Sequence, residues 1–235
     1  MKVSDISETQ RNAAKVAGCS YLFVNAAFAF AEFAVNARLI VFDDPARTVV
    51  NILAHEQLFR LGIAADLLTF VADVVILTAL YVILRPVSES LALLAAFWRV
   101  VSASILVVAT LNSFNVLELL TADPSRAFEP NRLQALAMLS ITAHGDASAA
   151  GLLFIAFGSG IFSYLWLRSR YIPWALAGWG MFASFLGVIY ALVSIIFPEF
   201  PEAAGLALLV VAASFEITLG LWLLIKGLVT RSQAG

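Results

Sequence analysis

The chain has 235 residues, 62% of them hydrophobic and 13% charged, and a formal net charge of −2. A soluble domain is about 45–50% apolar and about 25% charged, so much of this surface is built to face lipid. The weak net charge supplies no basic field, which excludes nucleic acid as a partner, and a lone Cys19 excludes an internal disulfide or a paired-cysteine metal or redox site.

Six apolar stretches, approximately residues 16–40, 58–84, 90–119, 146–168, 172–197 and 204–227, have the length of membrane spans. They predict an all-α protein, a six-helix transmembrane bundle forming one integral membrane domain over residues 1–235. In the first stretch Ala29-Phe30-Ala31 resembles a small-residue cleavage site. The apolar run continues past it and five more spans follow, so the first span is expected to stay attached. Residues 41–57, with "DDPARTVVNILAHEQ", form a longer connection before the second span. Arg85-Pro86 ends that span, because the residue before proline is pushed out of helical geometry.

Residues 121–145, "TADPSRAFEPNRLQALAMLSITAHG", place Leu133, Leu136, Ala137, Ser140 and Ile141 at helical spacing. They predict a short amphipathic helix at the interface before the fourth span. One long helix over 131–168 is the alternative, and Gly145 counts against it. Ile172-Pro173 opens the fifth span, where a proline in the first turn does no harm. The stretch from Pro198 to Pro201 separates the fifth from the sixth. Short connections make neighbouring spans antiparallel.

Basic residues set the orientation. With the N-terminus inside, the cytoplasmic segments hold Lys2, Arg11, Lys15, Arg85, Arg168, Arg170, Lys226 and Arg231, while Arg38, Arg47, Arg60, Arg126 and Arg132 fall on the other side. This predicts both termini in the cytoplasm and a multi-pass protein of the cell (plasma) membrane, its partners being the bilayer and a second copy of itself. Gly178, Gly180, Ser184 and Gly187, with Gly158 and Gly160, suit close helix packing. Trp98, Trp166, Trp174, Trp179 and Trp222 read as interface anchors.

The spans carry Asn25, Glu32, Asp66, Asp73, Arg99, Asn112, Asn115 and Glu216, with Arg60, Glu118, His144 and Asp146 near their outer ends. A charge near the bilayer centre costs about 2.5–3.5 kcal/mol on insertion scales, so each one needs a reason. Asp73 lies about 11 residues before the end of its span and Arg99 about 9 after the start of the next. Matched depth on consecutive antiparallel helices predicts a structural ion pair. Asp66 shares a face with Asp73 but stands roughly 10 Å further out, too far for a catalytic dyad. Glu32, Asp66 and Glu216 then form an acid excess with only Arg60 as a nearby base. Either some are protonated, or a cation or basic ligand neutralises them. Glu32, Asp66, Glu216, Arg60 and His144 are therefore the candidate ligand or proton site. His144 with His55 and carboxylates is also a conceivable zinc set. A separate histidine role, local hydrogen bonding at the interface, stays open. No GxSxG, HExxH or phosphate-binding loop occurs, so catalytic residues and cofactor are unknown.

The blocks "AGCSYLFVNAAFAFAEF", "LFRLGIAADLLTFVADVVILTALYVILRPV", "LALLAAFWRVV", "HGDASAAGLLF", "YLWLRSRYIPWALAG" and "EITLGLWLLIKGL" occur in order over nearly the whole chain. They resemble domain-of-unknown-function family 4386, uncharacterised bacterial multi-pass membrane proteins. The resemblance implies an integral membrane protein and marks Arg60, Asp66, Asp73, Arg99, His144 and Glu216 as matching the family's recurring polar blocks. Many members carry a second histidine in the middle of the fourth span; "FGSGIF" stands there in this chain, which argues against a two-histidine metal or haem role.

Three function classes fit. A small proton- or cation-linked transporter would use the intramembrane acids as its ion site. A membrane-embedded enzyme acting on a lipid or small apolar substrate would use Asp66 or Glu216 as acid or base. A non-catalytic membrane partner or sensor would use the charges for packing alone.

Overall fold

The computed structural model describes residues 6–41, 43–121, 130–197 and 202–229, the side chains of 130, 131, 202 and 203 excepted. Lys2, Arg126, Arg231 and the Pro198 to Pro201 stretch lie outside the described residues. Seven helices follow in order among the described residues: α1 (Glu8–Leu39), α2 (Pro45–Ala54), α3 (Glu56–Leu84), α4 (Glu89–Thr121), α5 (Pro130–Ser169), α6 (Trp174–Ile196) and α7 (Glu202–Ile225). All except α2 are long and apolar enough to cross a membrane. Large apolar side chains such as Val71, Phe97, Phe185 and Val210 are exposed along these helices, as a lipid environment requires.

Local chemistry explains several boundaries. Ser7 and Gln10 form a capping box at the start of α1: Gln10 N–H donates to Ser7 Oγ (3.2 Å) and Ser7 N–H to Gln10 Oε1 (3.0 Å). The amide of Gln10 then donates to the Ile83 carbonyl at 2.9 Å, tying this end of α1 to the last turn of α3. Asp44 caps α2 by accepting from Arg47 N–H at 2.9 Å, with Pro45 in the first turn. Arg170 adopts a left-handed φ of 58° just past α5, and Pro173 precedes α6.

Two features depart from the sequence-based expectation. The short amphipathic helix before the fourth span does not exist as a separate element, because α5 runs unbroken for 40 residues from Pro130 to Ser169. Past Pro130 the segment contains no proline, its Leu, Ala and Met residues favour helix, and one interior glycine costs only about 1 kcal/mol. The space around Gly145 is open, so no packing constraint bends the helix there. The second departure is in α1. Its α-helical part, Glu8–Ala29, gives way to a π-helical segment, Phe30–Asn36, before a last turn at Ala37–Leu39. The wider winding is visible in the Ala37 N–H, which reaches back to the Glu32 carbonyl. Such segments inside α-helices are rare and concentrate at functional sites.

The chain divides into two compact units. The first comprises Met1–Asn25, Val71–Ala103 and Ala149–Gly235. Its core joins Ala14, Ile83, Ala95, Leu165, Ala177 and Leu223, among others. Glycines bring its helices close. A Cβ on Gly18 would fall 2.8 Å from the Gly220 carbonyl, and one on Gly180 would overlap the Phe215 ring. Trp166 belongs to this core, fully buried, and Trp98 stacks near Phe154 with ring centroids 5.3 Å apart; Trp174 is strongly exposed, as an interface anchor would be. The second unit comprises Ala26–Phe70 and Ser104–Ser148. Its smaller core gathers Val35, Leu39, Ile52, Phe59, Ile63, Val116, Leu117, Ala137 and Ile141. There α2 contributes the buried face of Thr48, Val49 and Ile52, the amphipathic role the sequence had suggested for residues 121–145.

Candidate functional site

In the first unit, Arg99 Nη2 donates to Asp73 Oδ1, and both residues are buried. The other guanidinium nitrogen, Nη1, donates to Ser159 Oγ at 2.7 Å. Arg99 thus ties α3, α4 and α5 together through charge-assisted bonds. Gly158 makes the arrangement sterically feasible, since a Cβ there would lie 2.8 Å from Arg99 Cγ and 3.0 Å from the Ala95 carbonyl. The "FGSGIF" stretch is accordingly the seat of the arginine: one glycine gives it passage and the adjacent serine accepts its hydrogen bond. From the sequence alone Gly158 reads as a helix-packing glycine, and Ser159 carries no assigned role. The available signal was a Gly-Ser pair on a neighbouring span at the depth of an intramembrane arginine.

Glu216 lies in the same unit and is held differently. Asn25 Nδ2 donates to Glu216 Oε2 at 3.0 Å and also to the Tyr21 carbonyl at 2.9 Å. Glu216, Tyr21 and Ser159 line a cavity of about 70 Å³ whose wall is otherwise mostly apolar. The carboxylate therefore has an amide partner, and Arg99 acts on it electrostatically without a salt bridge.

The second unit holds two further acids on its helices, Glu32 and Asp66. Val35, fully buried in the π-helical segment of α1, presses on Gly62 of α3, where a Cβ would lie 2.9 Å from Val35 Cγ1. Glu32 is one turn before Val35, and Asp66 one turn after Gly62. On helices joined as a hairpin through α2, those offsets run in the same direction and put the two residues at a similar level. They act on one another electrostatically. Both are half-buried, and neither forms a salt bridge among the described residues. Asn36 Nδ2 donates to Glu32 Oε2 at 3.3 Å. Arg60, the nearest base in sequence terms, is committed elsewhere: its Nε donates to Glu56 Oε1 at 2.7 Å in an exposed pair one turn away.

His144 also belongs to this unit, half-buried on α5. Its Nδ1 lies 3.1 Å from the Ala109 carbonyl and 3.3 Å from Ser113 Oγ. A carbonyl oxygen only accepts, so Nδ1 carries a hydrogen. In the neutral ring the lone pair then sits on Nε2. Glu32 acts electrostatically on this imidazole as well. His55 instead sits exposed at the end of α2, with Nδ1 3.1 Å from the Asn51 carbonyl. Among the described residues, no three His, Cys, Asp or Glu side chains group as a metal ion would require. Asn115, Glu118 and Asp146 are exposed.

Of the sequence-derived residues, the structure therefore brings together Asp73 with Arg99, and Glu32 with Asp66. Glu216 falls in the other unit from Glu32 and Asp66. No curated protein and no solved structure matches the chain. Residues 16–227 match the profile described as Domain of unknown function (DUF4386). That match spans most of the chain and reaches each of the six long apolar helices among the described residues, and the protein belongs to this family.

Proposed function

We propose that this is a small membrane carrier whose transport is linked to a proton or a cation, with Glu32 and Asp66 as the loading site and His144 as its neighbouring base. The carrying observation is the acid pair itself. Two carboxyls of the second unit act on one another at a similar level, and neither has a salt bridge among the described residues. Two like charges close together in a poorly solvated place do not both stay ionised unless a cation joins them. Binding and release of a proton or metal cation is what such a pair does most readily. The π-helical turn carrying Glu32 supports the reading, because it offers backbone that can change its winding locally. Glu216 is a further acidic group of the first unit, and Asp73–Arg99 is a structural pair there. Arg60 holds Glu56 at the outer end of α3. In this reading both termini face the cytoplasm, the chain resides in the cell membrane as one integral domain, and it works as a homo-oligomer.

The test is to reconstitute the protein in vesicles on a solid support and record charge displacement on rapid pH or sodium jumps. Wild type is expected to give a saturable transient, and Asp66→Asn to reduce it at least tenfold while its unfolding temperature is retained. An unchanged transient in Asp66→Asn overturns the assignment, as does a wild type that gives none.

A further inference from the structure

The cavity in the first unit has a composition that packing alone does not require. Its volume is about 70 Å³, whereas one water occupies about 10–15 Å³ by the same measure and drug-sized pockets begin near 300 Å³. It suits a molecule of a few heavy atoms.

The wall combines three kinds of group. Glu216 supplies the carboxylate, and only its Oε2 has a hydrogen bond among the described residues. Ser159 and Ser163 supply hydroxyls. Ser159 accepts from Arg99, which leaves its own O–H to turn elsewhere. Ser163 is 2% exposed and makes no hydrogen bond among the described residues. Its hydroxyl belongs to the cavity wall, where it can donate to or accept from a small ligand or water. Tyr21, Trp166 and Phe215 supply aromatic rings to the same wall. Gly180 keeps the space open beside Ser163, whose Oγ would lie 2.7 Å from a Cβ at that position.

The charge distribution of the unit gives the sign of the ligand. Arg99 is bonded to Asp73, so its charge is already matched, and Glu216 is left with an amide as its only hydrogen-bond partner among the described residues. A carboxylate, hydroxyl acceptors and aromatic faces around a small volume is the chemistry that holds an organic ammonium: the carboxylate and hydroxyls take its N–H groups, and the rings take the positive charge by cation–π attraction. An anion would meet an unmatched carboxylate, and a neutral alkane would use none of the polar groups on the wall.

We infer that this cavity is a binding site for a small primary ammonium ion, anchored by Glu216 and received by Ser159 and Ser163. The site is separate from the acid pair of the second unit, and binding there does not depend on whether the protein transports.

Methylammonium chloride titrated into the detergent-purified full chain, followed by tryptophan fluorescence and by unfolding temperature, tests this. Trp166 on the wall provides the optical signal. Wild type is expected to show a saturable fluorescence change and a matching rise in unfolding temperature, with sodium and potassium chloride at equal ionic strength giving neither. Glu216→Gln keeps an oxygen for Asn25 and should bind at least tenfold more weakly. Ala212→Leu, which adds bulk to the cavity wall from α7 and leaves every charged residue in place, should weaken binding similarly. The inference is overturned by a wild type that unfolds cooperatively yet shows no saturable response. It is equally overturned by sodium acting as well as methylammonium, or by Glu216→Gln binding as tightly as wild type. Glu216→Gln should leave the ion-jump transient of Asp66 in place, so failure here and failure of the carrier reading are distinguishable.

Discussion

The two units treat buried charge in opposite ways. In the first, Asp73 and Arg99 are bonded to each other, Ser159 completes the arginine, and Gly158 clears its path. In the second, Glu32 and Asp66 act on one another electrostatically, half-buried and without a salt bridge among the described residues, and Arg60 is spent on Glu56. The first arrangement is closed: every strong electrostatic demand of the ion pair is met from within the protein. The second is open: no salt bridge among the described residues meets either acid, and in the proposed reading a proton or cation does so. The difference teaches that intramembrane charge is not one kind of signal. A charge with a built partner holds helices, and a charge without one points to a ligand.

The comparison breaks most visibly at Asp73. Asp73→Asn strands the Arg99 guanidinium and should cost about 3–5 kcal/mol in detergent unfolding. Pairing it with Arg99→Met should recover most of that loss, because an apolar replacement leaves no buried charge behind. A double variant as unstable as the single one would contradict the closed arrangement. Next in size are the arginine's supports. Gly158→Ala puts a methyl within 2.8 Å of Arg99 Cγ and should cost about 1–3 kcal/mol through overpacking. Ser159→Ala removes the acceptor of Nη1 and should cost a similar amount, about 1–3 kcal/mol. Measured in the Asp73→Asn/Arg99→Met background, both losses should shrink, since the residue they serve is gone.

The second unit should respond far less. Asp66→Asn and Glu32→Gln each remove one of two like charges, so at pH 8 unfolding should stay within about 1 kcal/mol of wild type or move upward. A loss comparable to that of Asp73→Asn would mean the pair is structural after all. The smallest effect belongs to Arg60→Ala, since an exposed pair one helical turn apart contributes about 0–1 kcal/mol. Its loss should vanish in high salt, where exposed charges are screened.

The helices were legible in the sequence because lipid imposes a simple demand: a run of apolar residues long enough to cross, ended by proline or charge. The meeting of Asp73 and Arg99 was equally readable from depth, since rise per residue is constant along consecutive antiparallel helices. What stayed hidden depends on tertiary placement. The π-helical winding around Glu32 leaves no mark in "FAEFAVN", which contains no proline or glycine. The roles of Gly158 and Ser159 exist only once α5 lies beside α4. The continuity of α5 is the alternative that Gly145 counts against in the sequence; its neighbours are strong helix formers and the glycine meets open space. Grouping Glu216 with Glu32 and Asp66 rested on similar depth alone, and depth does not say which face of a helix a residue occupies.

The most direct test of the central claim places the two arrangements side by side in one ion-jump recording. Vesicles carrying Asp66→Asn are compared with vesicles carrying Asp73→Asn/Arg99→Met, each beside wild type at matched protein density. The account predicts that the double variant keeps the charge-displacement transient to within about twofold, while Asp66→Asn loses at least tenfold. A transient that survives in Asp66→Asn but disappears in the folded double variant would reverse the roles of the two units.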